Sequence, residues 1–296
     1  MMIKLFCLIF LFCLTACYNQ ETLVDKRKLS VKDIRLYQST PAWSLAKAVM
    51  DEYLEKIKEE ITINRIPVDY QELRFGNTLL MVAILNGKYQ SSKALLQLGA
   101  NPNLHNNSSG ANAVILAAWV EDSNYLKLVL EYKGDPNSIE NIFPKPNSTD
   151  TPFRFSALTS AVNSFGDKGL EKVKLLLEAG ADKKKKKKGI IQTVLGESLV
   201  QGKMDIEMCI LEKGADYKVP ITSNSGEAKE LSILHLLRSN YIELDSEQYV
   251  KKMEIVSFLK TKGLDYDKEP IPEGTEEIVK NLYPDNWREY LKKILV

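Results

Sequence analysis

The chain is expected to fold as an all-α solenoid of about five helix-turn-helix repeats, with finger loops between them and a helical cap at each end. Two observations predict this. The stretch "LLQLGANPN" (95–103) returns as "LVLEYKGDPN" (128–137), "LLLEAGADKK" (175–184), "CILEKGADYK" (209–218) and "FLKTKGLDYD" (258–267), each an apolar helix end running into a glycine-bearing turn. The residues closing these turns, Asn101, Asp135, Asp182, Asp216 and Asp265, recur at intervals of 34, 47, 34 and 49. A period near 33 marks stacked helical hairpins, none of which can bury its apolar side alone.

Taken in order, residues 1–16 read as a signal peptide. Lys4 is their only charge, and the run Leu5–Leu14 is apolar but too short to span a bilayer. "LTAC" (14–17) resembles the lipobox of bacterial lipoproteins. That resemblance implies a diacylated Cys17 as first residue of the mature chain, held to a membrane by its buried methylenes. Residues 17–41 have weak periodicity and are expected to be a lipidated tether, with the repeat domain at 42–296. Within that domain, 42–75 is expected as the N-terminal cap, built on one amphipathic helix, "WSLAKAVMDEYLEKIKEEI" (43–61). The repeats would then occupy 76–267 and the C-terminal cap 268–296; both caps are richer in charge than the interior helices, as terminal units must be.

The first unit, "GNTLLMVAILNGKYQSSKALLQLGANPN" (76–103), resembles the ankyrin-repeat consensus, with Thr78, Leu80, Ala83, Gly87, Leu95, Leu96, Gly99, Ala100 and Asn101 in register. Each of these residue types has a local reason. Thr78 can cap the first helix by accepting a backbone N–H, and Ala83 is small where neighbouring helices press together. Gly99 supplies a left-handed helix end, and Asn101 turns the chain into its finger. Ser156, Leu158 and Ala161 repeat the pattern, as do Ser232 and His235, while Thr193, Leu195 and Gly202 keep it with Gly196 in the place of the family's His. The unit at 110–137 departs furthest, and its register is open by one residue. Insertions at 138–154 and 219–230, rich in Pro, Ser and Asn, account for the long intervals by lengthening fingers.

Chemistry is sparse. The mature chain has two histidines, His105 and His235, in different repeats, and His235 reads as a structural hydrogen-bonding residue. Loss of the signal leaves Cys17 and Cys209; the latter sits in an apolar helical run and reads as a small buried hydrophobe, so no disulfide framework exists. With Lys4 gone, 39 basic residues face 39 acidic ones, which gives no global attraction to nucleic acid. No nucleophile elbow, zinc-binding helix, phosphate loop or dinucleotide fingerprint occurs. Neither an enzyme nor a cofactor, metal or small-molecule substrate is therefore expected; a protein-binding surface is.

In the ankyrin family ligands lie against the fingers and the exposed face of each first helix. Carried over by register, that implies Val82 and Leu85, Leu116 and Trp119, Ser160 and Asn163, Glu197 with Val200 and Gln201, and Leu236 with Ser239. Trp119 stands out, since an aromatic there would be exposed apolar surface without a folding purpose; a one-residue slip would put it in the core instead. His105 and Asn106 of the finger "LHNNSSG" (104–110) add polar groups. Lys184 and Lys186 lie in the run Lys183–Lys188, which six like charges keep solvated. That run is either a loop without specific role, or it faces an acidic partner or anionic headgroups.

Small ankyrin lipoproteins of this layout resemble immunity proteins that neutralise secreted antibacterial effectors, including phospholipases delivered by type VI secretion. The resemblance implies a protein partner and a periplasmic address. Tyr18, where inner-membrane lipoproteins carry Asp, leans toward the outer membrane. The alternative is an adaptor that scaffolds a resident envelope complex.

Overall fold

The computed structural model describes residues 23–141, 154–164, 166, 168–182, 194–218, 221–222 and 230–295. The chain divides into two compact units, residues 1–100 and 101–296.

The first unit holds two antiparallel helical hairpins. Helices α1 (Trp43–Met50) and α2 (Leu54–Thr62) form one, α3 (Leu79–Leu85) and α4 (Tyr89–Gln97) the other, with α1 against α3 and α2 against α4. The single cap helix expected at 43–61 is thus broken in two. At the break Glu52 adopts φ 52°, the left-handed corner that Gly87 supplies at φ 71° in the next hairpin. The N-terminal cap is a degenerate repeat whose corner residue is not glycine. Along α3 every residue from Leu79 to Ile84 is buried, and Thr78 caps it by accepting from Met81 N at 3.3 Å.

The expected tether is corrected as well. Short 3-10 turns at Lys26–Lys28 and Ile34–Tyr37 lie on this unit, with Ile34, Leu36 and Tyr37 buried. Tyr37 Oη donates to Asn77 O at 2.7 Å, and Asn77 Nδ2 donates to Val31 O at 2.8 Å. Three apolar side chains within four residues bury enough surface to hold an otherwise polar segment in place.

The second unit continues with hairpins α5 (Ala113–Trp119) and α6 (Ser123–Glu131), α7 (Ala157–Val162) and α8 (Gly169–Glu178), α9 (Val194–Val200) and α10 (Met204–Glu212), then α11 (Ile233–Ser239) and α12 (Glu247–Thr261). The first helices α5, α7 and α11 begin at a polar cap: Asn112 accepts from Ile115 N at 3.1 Å, Ser156 from Thr159 N at 3.1 Å and Ser232 from His235 N at 2.9 Å. Thr193 lies outside the described residues. Second helices end at left-handed glycines, Gly180, Gly214 and Gly263, as α4 does at Gly99. The second repeat differs: Lys133 takes the left-handed place at φ 65°, and Gly134 stands where the other units have an alanine or leucine. This residue exchange, without a gap, explains why its register is hard to read. An acidic or amide side chain then closes a tight turn at Asn101, Asp135, Asp216 and Asp265, Asn101 Oδ1 accepting from Asn103 N at 2.9 Å and Asp135 Oδ1 from Asn137 N at 2.8 Å.

Both insertions are pinned at their base. Ile139 pairs with Ser156 in an antiparallel bridge, and strands β1 (Ile221–Thr222) and β2 (Glu230–Leu231) pair antiparallel, Ile221 opposite Leu231. Two glycines make room. A Cβ on Gly110 would fall 2.5 Å from the Asn141 backbone, and one on Gly196 would fall 2.6 Å from Ile221 Cγ2. Helices α13 (Thr275–Leu282) and α14 (Trp287–Leu295) end the unit on a small core of Leu244, Val279, Tyr290 and Ile294. Tyr290 Oη and Tyr283 Oη donate to Ile242 O and Tyr241 O at 2.7 and 2.8 Å, and Arg238 reaches Tyr266 O at 2.8 Å and Ile294 O at 2.5 Å.

Candidate protein-binding surface

In the second unit the last turns of α5, α7, α9 and α11 present the residues expected at the partner surface. Trp119 is 41% exposed and Val200 58%, at equivalent places on α5 and α9. Between them on α7, half-buried Asn163 joins a lattice: its Nδ2 donates to Glu197 Oε1 at 2.8 Å, and its Oδ1 accepts from Gln201 Nε2 at 3.0 Å. Ser239 on α11 is half-buried, its Oγ donating to His235 O at 2.8 Å.

The residues one turn earlier do not share this exposure. Val82, Ser160 and Glu197 are buried, contrary to their expected place on an open face, while Leu116 and Leu236 are half-buried. The reason for the second unit is packing: α7 lies against α5 and α9, so its middle turn is covered and only its end is open. Leu85, in the first unit, is half-buried. Glu197 is satisfied, its Oε1 also lying 3.4 Å from Gln201 Nε2.

Asn106 too is buried, and its carboxamide shapes the finger. Its Oδ1 accepts from Gly110 N at 2.9 Å and Ser109 N at 3.0 Å, while His105 Nδ1 donates to Gly110 O at 2.6 Å. Cys17, Lys184 and Lys186 lie outside the described residues. Cys209 is a buried free thiol whose pKa is pushed up by desolvation, which suits a packing role and not a nucleophile.

One set of residues escaped sequence reasoning. Carbonyls at the C-terminal ends of the first helices are bound by side chains from beyond the helix: Val120 O by Lys172 Nζ, Val162 O by Lys203 Nζ, Leu199 O by Asn240 Nδ2 at 2.6 Å and Asn240 O by Lys252 Nζ at 2.8 Å. Helix C-termini leave orphan carbonyls and a partial negative charge, so a cation there is well placed. Lys172 and Lys252 are buried, and desolvation lowers both amines to about 8. These contacts fix the helix ends that carry Trp119, Asn163, Val200 and Ser239. A lysine at a buried outer-helix position, as in "GLEKVKLLLE" (169–178), was the only signal.

Residues 45–140 match the family model for ankyrin repeats, in three copies. The chain is also similar to the crystal structure of the ankyrin repeat domain of Bcl-3, a member of the IkappaB protein family. That match has a TM-score of 0.52 and 20% identity over 75% of this chain and 86% of the other. The fold is an ankyrin-repeat fold. No curated protein matches the chain. Ankyrin repeats are protein-interaction modules, typically without catalysis. Among the described residues no helix is long and apolar enough to cross a membrane, and no group of three or more His, Cys, Asp or Glu is arranged to hold a metal.

Proposed function

We propose that this chain is a lipoprotein of the bacterial envelope, anchored through Cys17 at the periplasmic face of a membrane, that binds and neutralises a secreted antibacterial effector such as a type VI phospholipase. The observation that carries the binding part is the exposure of Trp119 and Val200 on a stripe of helix ends held by Lys172, Lys203 and Asn240. A preorganised apolar anchor loses little freedom on association, which is what makes such a residue dominate an interface. The effector identity and the envelope address rest on the lipobox and on the resemblance to immunity lipoproteins. A lipid-held binder raises its own concentration at the surface where a lipase acts.

The test is capture by the chain starting at residue 18 from cells that encode its neighbouring genes, followed by titration of the captured protein. Trp119→Ala and Val200→Ser are each expected to weaken binding tenfold or more, on the order of 1.4 kcal/mol, with both variants still folded. Inhibition of an effector's activity on addition of the chain completes the case. Capture of resident envelope proteins alone, with no effector, would replace inhibition by a scaffolding role.

A further inference from the structure

The N-terminal segment and the finger before α3 meet in the first unit along one rim. Arg74 Nη1 donates to Leu29 O at 2.8 Å and also to Lys26 O, strapping the finger to residues 26–29. Beside this strap Leu73 is 90% exposed, and three residues before Lys26 stands Leu23, 76% exposed. Val31 is exposed as well, its carbonyl held by Asn77, and Lys32 O is held by Asn86 Nδ2 at 2.8 Å. Lys28 and Lys32 in the N-terminal segment and Arg74 in the finger are exposed cations.

Three acids of these two segments are already engaged. Asp25 holds Arg27 through Nε at 2.9 Å and Nη2 at 3.0 Å, and Asp33 holds Arg35 at 2.6 Å. Glu72 is buried and accepts the N–H groups of Arg74, Phe75 and Asn77 at 2.7, 2.8 and 3.2 Å. What the rim leaves outward is therefore aliphatic surface interleaved with positive charge. A single exposed leucine needs no explanation, but this composition is the one interfacial segments use, apolar side chains below and cationic heads above.

We propose that this rim docks on an anionic phospholipid surface, with Leu23 and Leu73 entering the acyl boundary and Lys28, Lys32 and Arg74 meeting the phosphates. The position of the rim in the chain favours a membrane over a protein as occupant. Leu23 follows Cys17 by six residues, a span of at most about 22 Å fully extended. A lipid on Cys17 would thus hold the rim within reach of the bilayer. That clause rests on the anchor reading above; the composition of the rim does not.

The test uses the lipid-free chain starting at residue 18, which keeps every described residue, and flotation with vesicles rich in phosphatidylglycerol or made of phosphatidylcholine alone. Binding is expected to the anionic vesicles at low salt, weakening as salt rises. The double variant Lys28→Ser/Lys32→Ser should bind about 25-fold more weakly, from the usual attraction per cation near such a surface. Leu73→Ser should lose about tenfold. All three side chains are exposed, so melting temperatures should not change. Absence of binding by the parent chain, or rim variants that bind as the parent does, overturns the proposal. So does binding that disappears only when Lys183–Lys188 are replaced by serine. Whether Cys17 carries lipid is read separately, from the mass of the chain extracted from membranes, so failure of the anchor and failure of the rim are distinct results.

Discussion

Asn103 joins two successive fingers through one carboxamide: its Oδ1 accepts from Asp135 N at 2.7 Å while its Nδ2 donates to Lys133 O at 2.9 Å. Asn137 does the same one hairpin later, accepting from Asp182 N at 2.7 Å and donating to Gly180 O at 3.4 Å. The next two equivalent positions are Lys184 and Lys218. A lysine has no acceptor, so this reciprocal pairing ends there by chemistry. Asn103→Ala should lower unfolding free energy by about 1–2 kcal/mol in a denaturant titration, and Asn137→Ala by less, given its longer second bond. Asn103→Asp keeps the acceptor and should fall between the parent and the alanine variant.

Lys133 takes the left-handed place that glycine holds in the other units, and Gly134 takes the place of their alanine or leucine. A lysine in the left-handed region is strained by about 1–2 kcal/mol relative to glycine. Lys133→Gly is therefore expected to stabilise the chain by about 1 kcal/mol. Gly134→Ala should do the opposite by about 1–3 kcal/mol, because the added Cβ would lie 2.7 Å from Val129 O and 2.8 Å from Val114 Cγ2. Melting curves of the two single variants that move in the same direction would refute this account of the second repeat.

Tyr37 is fully buried and bonded to Asn77 O, so the segment before α1 belongs to the folded unit. Tyr37→Ala should cost about 3–5 kcal/mol, as large-to-small changes of a buried ring do. A chain begun at residue 42 should melt below one begun at residue 18. Equal melting temperatures would restore residues 17–41 to the role of a loose tether.

Glu207 is buried beside Ser198, its Oε1 has no hydrogen-bond partner, and burial raises its pKa from 4.5 to about 8. The folded state then keeps a proton that the unfolded chain releases between those values. Its contribution is complete below about pH 4.5 and is lost as pH rises through about 8. Denaturant titrations of the parent and of Glu207→Gln across that window should diverge, the parent losing stability relative to the variant with rising pH. Parallel curves would show that Glu207 does not titrate there.

How far the sequence went depended on whether a residue's reason was local. Thr78, Ser156, Ser232, Gly99 and Asp135 act on backbone atoms within a few positions, so pattern alone placed them. The N-terminal cap was misjudged because Glu52 does a glycine's work at a corner, and periodicity across 43–61 cannot see a reversed φ. Residues 34–37 are too few to show a period, though three of them reach the core. At the surface, helical spacing accounts for the exposure of Trp119 and Val200 at the ends of α5 and α9. It does not account for the burial of Ser160 and Glu197, which depends on how deeply neighbouring helices overlap. Lys172, Lys203 and Lys252 bind carbonyls 52, 41 and 12 residues away, and nothing in a single sequence announces such partners.

Gly196 and Ile221 interlock so closely that the missing histidine of the fourth repeat and the lengthened loop beside it are sterically coupled. Restoring the family's residue at 196 while the loop stays would drive a side chain into occupied space, and shortening the loop while Gly196 stays would leave a hole. Engineers who wish to regularise this repeat must therefore change both together or neither.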